Sequence, residues 1–186
     1  LEQAVAIDKN YALAHARLAQ AWTELDYTDR AKDALISAST IAGNRSSVTP
    51  VDALYLDAIT AVVRRDFDEA VKSYTEIAKV LPEDSQLYVD LGHAYENSGK
   101  VDKALENYQK AISLSNQQYA TPYLRAGIVY HRKQETAKAT EHFDKAETLY
   151  SAASNNEGVN EVLRQRGILF RDKGQYADAR TQVEKS

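Results

Sequence analysis

Cysteine and methionine are both absent from this 186-residue chain, and glycine and proline are scarce at seven and three residues. Without cysteine there can be no disulfide, no thiolate metal site and no cysteine nucleophile. A natural chain begins with methionine, so its absence points to an internal piece of something longer or to a processed product. Glycine plus proline falls far below the roughly 12 % of an average globular protein, which argues against a β-sandwich or barrel with its many tight turns. No run of about 18 apolar residues occurs, so nothing reads as a membrane-spanning helix. The first residues also lack the basic-then-apolar plan of a signal peptide, and a cytoplasmic location is favoured. The formal net charge is −4, which leaves no overall basic footprint for nucleic acid. What the chain has in quantity is alanine, 28 residues of it, and alanine is the strongest helix former.

Internal periodicity is the informative signal. Residues 85–118 contain LYVDLGHAYENSGKVDKALENYQKAISL, with Tyr88, Leu91, Gly92, Tyr95, Gly99, Ala104, Tyr108 and Ala111 in fixed register. Upstream the same register carries Leu54, Ala58, Phe67, Ala70, Tyr74 and Pro82, and before them His15, Leu18, Ala19, Trp22, Ala31 and Ala38. Downstream it carries Tyr123, Ala126, Gly127, Tyr130, Ala139, Phe143 and Ala146, then Leu163, Gly167, Phe170, Gly174, Tyr176 and Ala179. A period of about 34 residues is that of a helix-turn-helix unit. In spacing and residue type these stretches resemble the tetratricopeptide repeat (TPR) family, and the resemblance covers nearly the whole chain. It implies an all-α fold, a right-handed superhelix of antiparallel helix pairs. The expected organisation is one array over 1–186: the end of a preceding repeat at 1–11, full repeats at 12–45, 51–84, 85–118 and 120–153, and a truncated repeat at 160–186.

Helix packing explains the residue types. Ala19, Ala58, Gly92, Gly127 and Gly167 are expected where the first helix of a pair meets the second, and Ala31, Ala70, Ala104, Ala139 and Ala179 on the facing spot. Trp22, Tyr95, Tyr130 and Phe170 are expected to fill the space between neighbouring pairs, where ring burial contributes most. Thr49-Pro50-Val51-Asp52 reads as a capped helix start, as do Pro82-Glu83-Asp84 and Thr121-Pro122. Gly99 and Gly174 fit the turn within a pair. About eleven helices follow. Taking Ala12, Val51, Ser85, Ala120 and Asn160 as unit starts gives steps of 39, 34, 35 and 40 residues. The two long steps hold a polar loop at 44–49, which includes the sequon-like Asn44-Arg45-Ser46, and a stretch at 150–159 that should lengthen the preceding helix before a short turn. Neither end carries a polar capping helix, which solenoids use for solubility, so the array reads as part of a longer one with end-to-end self-association through its uncapped ends.

The TPR resemblance also implies where a partner lies, along an inner groove lined by first helices. The candidate lining is Gln20; the apolar set Tyr55, Ile59 and Val62; His93 and Asn97; then Arg125, Ile128, His131, Arg132, Arg164 and Arg171. Residues 1–93 hold 9 basic and 15 acidic side chains, whereas 94–186 hold 14 and 12, so the groove should grade from apolar to basic and receive an acidic or carboxylate-bearing segment. The alternative is a solvated face of intrahelical pairs such as Glu161 with Gln165 or Asp172 with Arg171. Chaperone-binding members of the family clamp a terminal carboxylate with Lys, Asn and Arg on successive first helices. Here Ala16 and Gln20, Tyr55 and Ile59, and Val89 and His93 stand at those places, so that clamp is not expected. His15, His93, His131 and His142 show no metal-ligand spacing, and no phosphate loop or nucleophile elbow is present. The reading is a non-enzymatic interaction scaffold that needs no cofactor or metal, binds a protein or peptide, and neither binds nucleic acid nor inserts in a membrane. Two alternatives remain open: a sensor or assembly module like the TPR regions appended to bacterial serine/threonine kinases and winged-helix regulators, which ALAHARLAQAWTELDYTDRAKDAL and FDEAVKSYTEIAKVLPED resemble, or the substrate-recruiting part of a larger enzyme.

Overall fold

A computed structural model describes residues 1–43 and 48–185. Among these the helices are α1 (Glu2–Ile7), α2 (Ala12–Glu24), α3 (Thr28–Ala42), α4 (Pro50–Val63), α5 (Phe67–Val80), α6 (Ser85–Asn97), α7 (Val101–Leu114), α8 (Ala120–Arg132), α9 (Thr136–Ala152), α10 (Asn156–Asp172) and α11 (Tyr176–Lys185), with no strand. The sequon and most of the expected loop at 44–49 lie outside the described residues. From α2 onward the helices pair as α2–α3, α4–α5, α6–α7, α8–α9 and α10–α11, each pair joined by a short turn that forces an antiparallel arrangement.

Two compact units divide the chain, Leu1–Glu83 and Asp84–Ser186. In the first, α4 packs on α2 and α3, and α1 rests on α2. In the second, α8 packs on α6 and α7, and α10 packs on α8 and α9, so the first helices α6, α8 and α10 form one layer.

The helix starts follow from side-chain caps that satisfy otherwise orphaned N–H groups. Thr49 Oγ1 accepts from the Asp52 amide at 3.1 Å, with Pro50 opening the helix. Asp84 Oδ1 accepts from the amides of Gln86 and Leu87 at 2.9 and 3.3 Å. The long step after α9 resolves differently from expectation. α9 does extend to Ala152, but α10 begins at Asn156 rather than Asn160, because Asn155 Oδ1 accepts from the Gly158 amide at 2.9 Å and caps the helix there.

All five intrapair turns share one hydrogen bond. Tyr27, Asp66, Lys100, Glu135 and Gln175 each donate an amide 2.9 Å to the carbonyl five residues back, on Trp22, Ala61, Tyr95, Tyr130 and Phe170. That bond closes a Schellman motif and needs a left-handed residue just before the donor. Gly99 and Gly174 supply it at φ 76° and 73°, while Asp26, Arg65 and Gln134 adopt φ 59°, 60° and 61° without the freedom of glycine.

The core corrects one expectation about aromatics. Trp22, Tyr95, Tyr130 and Phe170 are only half-buried. Arg30 stands 4.8 Å over the Trp22 ring, Lys103 5.5 Å over Tyr95 and Lys138 5.2 Å over Tyr130, so three of these rings keep one face for a cation. The largest fully buried rings are Tyr74, Tyr108 and Phe143, on the second helices. Two of them lie against glycines of the first helices: a Cβ built on Gly92 would fall 2.6 Å from the Tyr108 ring, and one on Gly127 2.6 Å from Phe143. Glycine is needed there for space, and ring and glycine together set how closely the two helices approach.

Candidate functional site

In the first unit the expected apolar lining is used up by packing. Ile59 is 0 % exposed and forms a core cluster with Ala12, Ala16, Ala38 and Leu56. Tyr55 and Val62 are each 6 % exposed. Arg17 lies 5.1 Å over the Tyr55 ring and donates from Nη1 to Oε1 of buried Gln20 at 3.1 Å. Ile59 and Tyr55 thus join α4 to α2, and Gln20 and Val62 are buried as well, so these positions are taken up by packing. Apolar side chains on a core face and on a groove face follow the same helical period, so spacing alone could not separate the two.

The second unit gathers the remaining candidates on its layer of first helices. Glu96 of α6 receives two cross-helix bonds: Tyr108 Oη donates to its Oε2 at 2.6 Å, and the Arg132 guanidinium of α8 pairs with its Oε1. The Glu96 side chain is only 8 % exposed, whereas Arg132 reaches solvent. Burial, then the Glu96 charge, push the Tyr108 hydroxyl well above its ordinary pKa. His93, one helical turn before Glu96, is held at about 3, first by burial and then by repulsion from Arg125 and Arg132; it is a neutral hydrogen-bonding group at ordinary pH. Asn97 is exposed and donates from Nδ2 to the His93 carbonyl at 2.9 Å.

The same last turn of α8 reaches the other way as well. His131 Nε2 lies 3.3 Å from Asp172 Oδ2 on α10. Ile128 is half-buried against the cluster of Leu124, Ala139, Phe143, Ala146, Val162 and Leu169. Arg125 is half-buried on the same helix, and its charge acts on His93, Tyr108, Tyr150 and Glu161. The two arginines of α10 are held by carboxylates of their own helix: Arg164 donates to Glu161 at 2.8 and 2.6 Å, and Arg171 to Asp172 at 3.1 and 3.0 Å. Glu161 also accepts from Gln165 at 2.9 Å. Both intrahelical pairs weighed from the sequence are therefore formed.

One buried cation escaped the sequence reading. Arg166 of α10 donates from Nη2 to Asp144 at 2.8 Å and from Nη1 to Gln182 at 3.3 Å, and Nη1 lies 2.7 Å from Glu147. It ties α9, α10 and α11 together, and its only sequence signal was an arginine on the apolar stripe between Val162 and Leu169. Among the described residues no group of three or more His, Cys, Asp or Glu could hold a metal ion, and no helix is long and apolar enough to cross a membrane.

Paired helices, a layer of first helices and a polar, arginine-bearing surface on that layer define a helical-repeat protein. Residues 83–152 match the tetratricopeptide repeat family. Among curated proteins it is similar to the photosystem I assembly protein Ycf3 of Acaryochloris marina, 29 % identical over 105 residues that cover 54 % of this chain and 62 % of that one. It is also 28 % identical over 85 residues to the small glutamine-rich tetratricopeptide repeat-containing protein 2 of Saccharomyces cerevisiae, covering 46 % of this chain and 24 % of that one. The chain thus spans less than two thirds of either relative. Among solved structures, one of MamA aligns with a TM-score of 0.61 at 21 % identity, over 90 % of this chain and 91 % of that one. The TPR2B domain of yeast Sti1 aligns with a TM-score of 0.58 at 24 % identity, over 71 % and 97 %. These two likenesses show the fold.

Proposed function

We propose that the chain is a non-catalytic scaffold that holds an acidic segment of a partner protein against the face of α6, α8 and α10. The observation that carries this reading is the convergence of Arg125, Ile128, His131 and Arg132 on α8 beside His93 and Asn97 of α6. An exposed arginine anchored by the buried Glu96 keeps donors for a partner carboxylate while its position is fixed, and a neutral His93 adds a hydrogen bond without competing charge. The match of residues 83–152 to tetratricopeptide repeats supports a binding role. So do the relatives: one is named as an assembly protein, and the Sti1 TPR2B domain is seen in complex with pHsp70. Arg164 and Arg171, clasped by their own carboxylates, contribute less to this face.

The test is site-specific photo-crosslinking of the chain in its native host. A benzoylphenylalanine at position 97, 128 or 132 should join a common protein, with crosslinked peptides rich in Asp or Glu. The same probe at Glu106 of α7 or Glu141 of α9 should not. Crosslinks of equal yield from all five positions, or none from the first three, would remove this assignment.

A further inference from the structure

We propose that the turn between α2 and α3 is a second docking surface, which takes a segment of a partner protein bearing one carboxylate beside a bulky apolar side chain. The inference goes beyond the α6–α8–α10 face and stands without it. Leu25 is 61 % exposed and Tyr27 53 %. The Tyr27 ring meets Trp22 edge-on at 5.3 Å, and the Arg30 guanidinium lies over both rings, 4.8 Å from Trp22 and 5.3 Å from Tyr27. Tryptophan, tyrosine and arginine are the residues that dominate binding energy where proteins meet.

The five intrapair turns share one backbone hydrogen bond, so their residues compare position by position. Where the first turn has Leu25, the others have Arg64, Ser98, Lys133 and Lys173; where it has Tyr27, they have Asp66, Lys100, Glu135 and Gln175. In α4–α5, α8–α9 and α10–α11 another helix pair precedes within the same unit. Their residues at these two positions remain exposed even so, apart from half-buried Glu135. Exposure is therefore a property of the turn itself and not of the place of α2–α3 in the chain. A contiguous apolar group kept in water at such a place marks an interaction surface.

Arg30 indicates what the partner brings. Its counterpart in α8–α9 is Lys138, which stands 5.2 Å over Tyr130 and donates to Glu135 at 2.6 Å. Tyr27 occupies the place of Glu135, so Arg30 keeps the aromatic contact and lacks the carboxylate: among the described residues it forms no ion pair. Asp26, in the turn, lies 3.7 Å from Arg65 instead. A guanidinium stacked on rings still has its N–H edge for a carboxylate, and Leu25 with the Tyr27 ring covers an apolar neighbour. Asp29 and Asp33 flank Arg30 on α3, so a run of carboxylates is repelled where a single one is accepted. That preference separates this partner segment from the acidic one on the α6–α8–α10 face.

Trp22 is the single tryptophan of the chain, and its fluorescence reads the site directly. Two short peptides, blocked at both ends and with Leu-Phe-Asp or Leu-Phe-Asn at the centre, are titrated against the whole chain. The Asp peptide should bind at least about tenfold tighter than the Asn peptide, and Arg30→Gln should erase that preference. Leu25→Ser, which copies Ser98, should weaken the Asp peptide by about tenfold without lowering the thermal midpoint. Arg132→Ala, on the other face, should leave its affinity unchanged. No binding, equal binding of the two peptides, a preference that survives Arg30→Gln, or binding lost in Arg132→Ala overturns the proposal. So does self-association, or binding to phosphatidylcholine vesicles, that Leu25→Ser abolishes while neither peptide binds, which would assign the patch to a second copy of the chain or to a lipid surface.

Discussion

Tyr108 and Glu96 lie on facing helices of one pair, and the phenol donates to the carboxylate across 2.6 Å. The ring is buried, its hydroxyl has this charged acceptor, and the other carboxylate oxygen is taken by Arg132. A hydrogen bond to a charged group contributes about 1.5–3 kcal/mol, and an orphaned buried donor costs a similar amount. Glu96→Ala should therefore destabilise the chain by about 2–3 kcal/mol and Tyr108→Phe by about 1 kcal/mol. The double variant should cost less than the sum of the two, as read from urea midpoints in a double-mutant cycle. Additive losses would show that the bond contributes nothing in solution.

The small-residue positions should respond unequally to the same change. Gly127→Ala drives a methyl into Phe143 and should destabilise by about 1–3 kcal/mol through overpacking. Gly167→Ala meets nothing closer than 3.5 Å, so it should be neutral or raise stability by up to about 1 kcal/mol through better helix propensity. Thermal melts of the two variants decide the point, and equal losses would contradict the packing described.

Gln134 holds a left-handed conformation that costs a side-chain-bearing residue about 1 kcal/mol or more. Gln134→Gly should raise stability by about 0.5–1 kcal/mol even though it removes a side chain. Gly99→Ala, at φ 76°, should lower it by about 1 kcal/mol. Paired denaturation curves check both signs.

His93 ties stability to pH. Its pKa is held at about 3 in the fold, against about 6.5 for an ordinary histidine, so the unfolded chain binds the extra proton across that interval. Its contribution is complete above about pH 6.5 and is lost as the pH falls toward about 3. Urea midpoints of the wild type and of His93→Gln should diverge progressively below about pH 6.5, with the wild type falling faster. Parallel profiles would mean that His93 takes its proton freely in the folded state.

The repeat was legible in the sequence because its positions follow simple rules of size. Gly92, Gly127 and Ala58 sit one turn from aromatic or apolar partners at a fixed step, and that step is visible without coordinates. Other features carry no such mark. Asp26, Arg65 and Gln134 are ordinary residues until the backbone bends at them, so only Gly99 and Gly174 announced the turn. Ile59 and Ile168 follow the same period on first helices, yet one is sealed in the core and the other lines a groove. The difference lies in whether another helix covers them. Arg132 and Glu96 are 36 residues apart, and no local pattern joins a pair at that distance.

The contact of Tyr108 with Gly92, and of Phe143 with Gly127, bears on how such a chain can change over generations. Neither member of a pair can drift by itself: enlarging the glycine strikes the ring, and shrinking the ring leaves a void beside a residue with no side chain to fill it. Substitutions there should arise as compensated pairs, a methyl gained on one helix with a smaller apolar residue on the other. At Gly167 and Val183 the constraint is relaxed, since a Cβ on Gly167 meets nothing closer than 3.5 Å, and these two positions can vary one at a time.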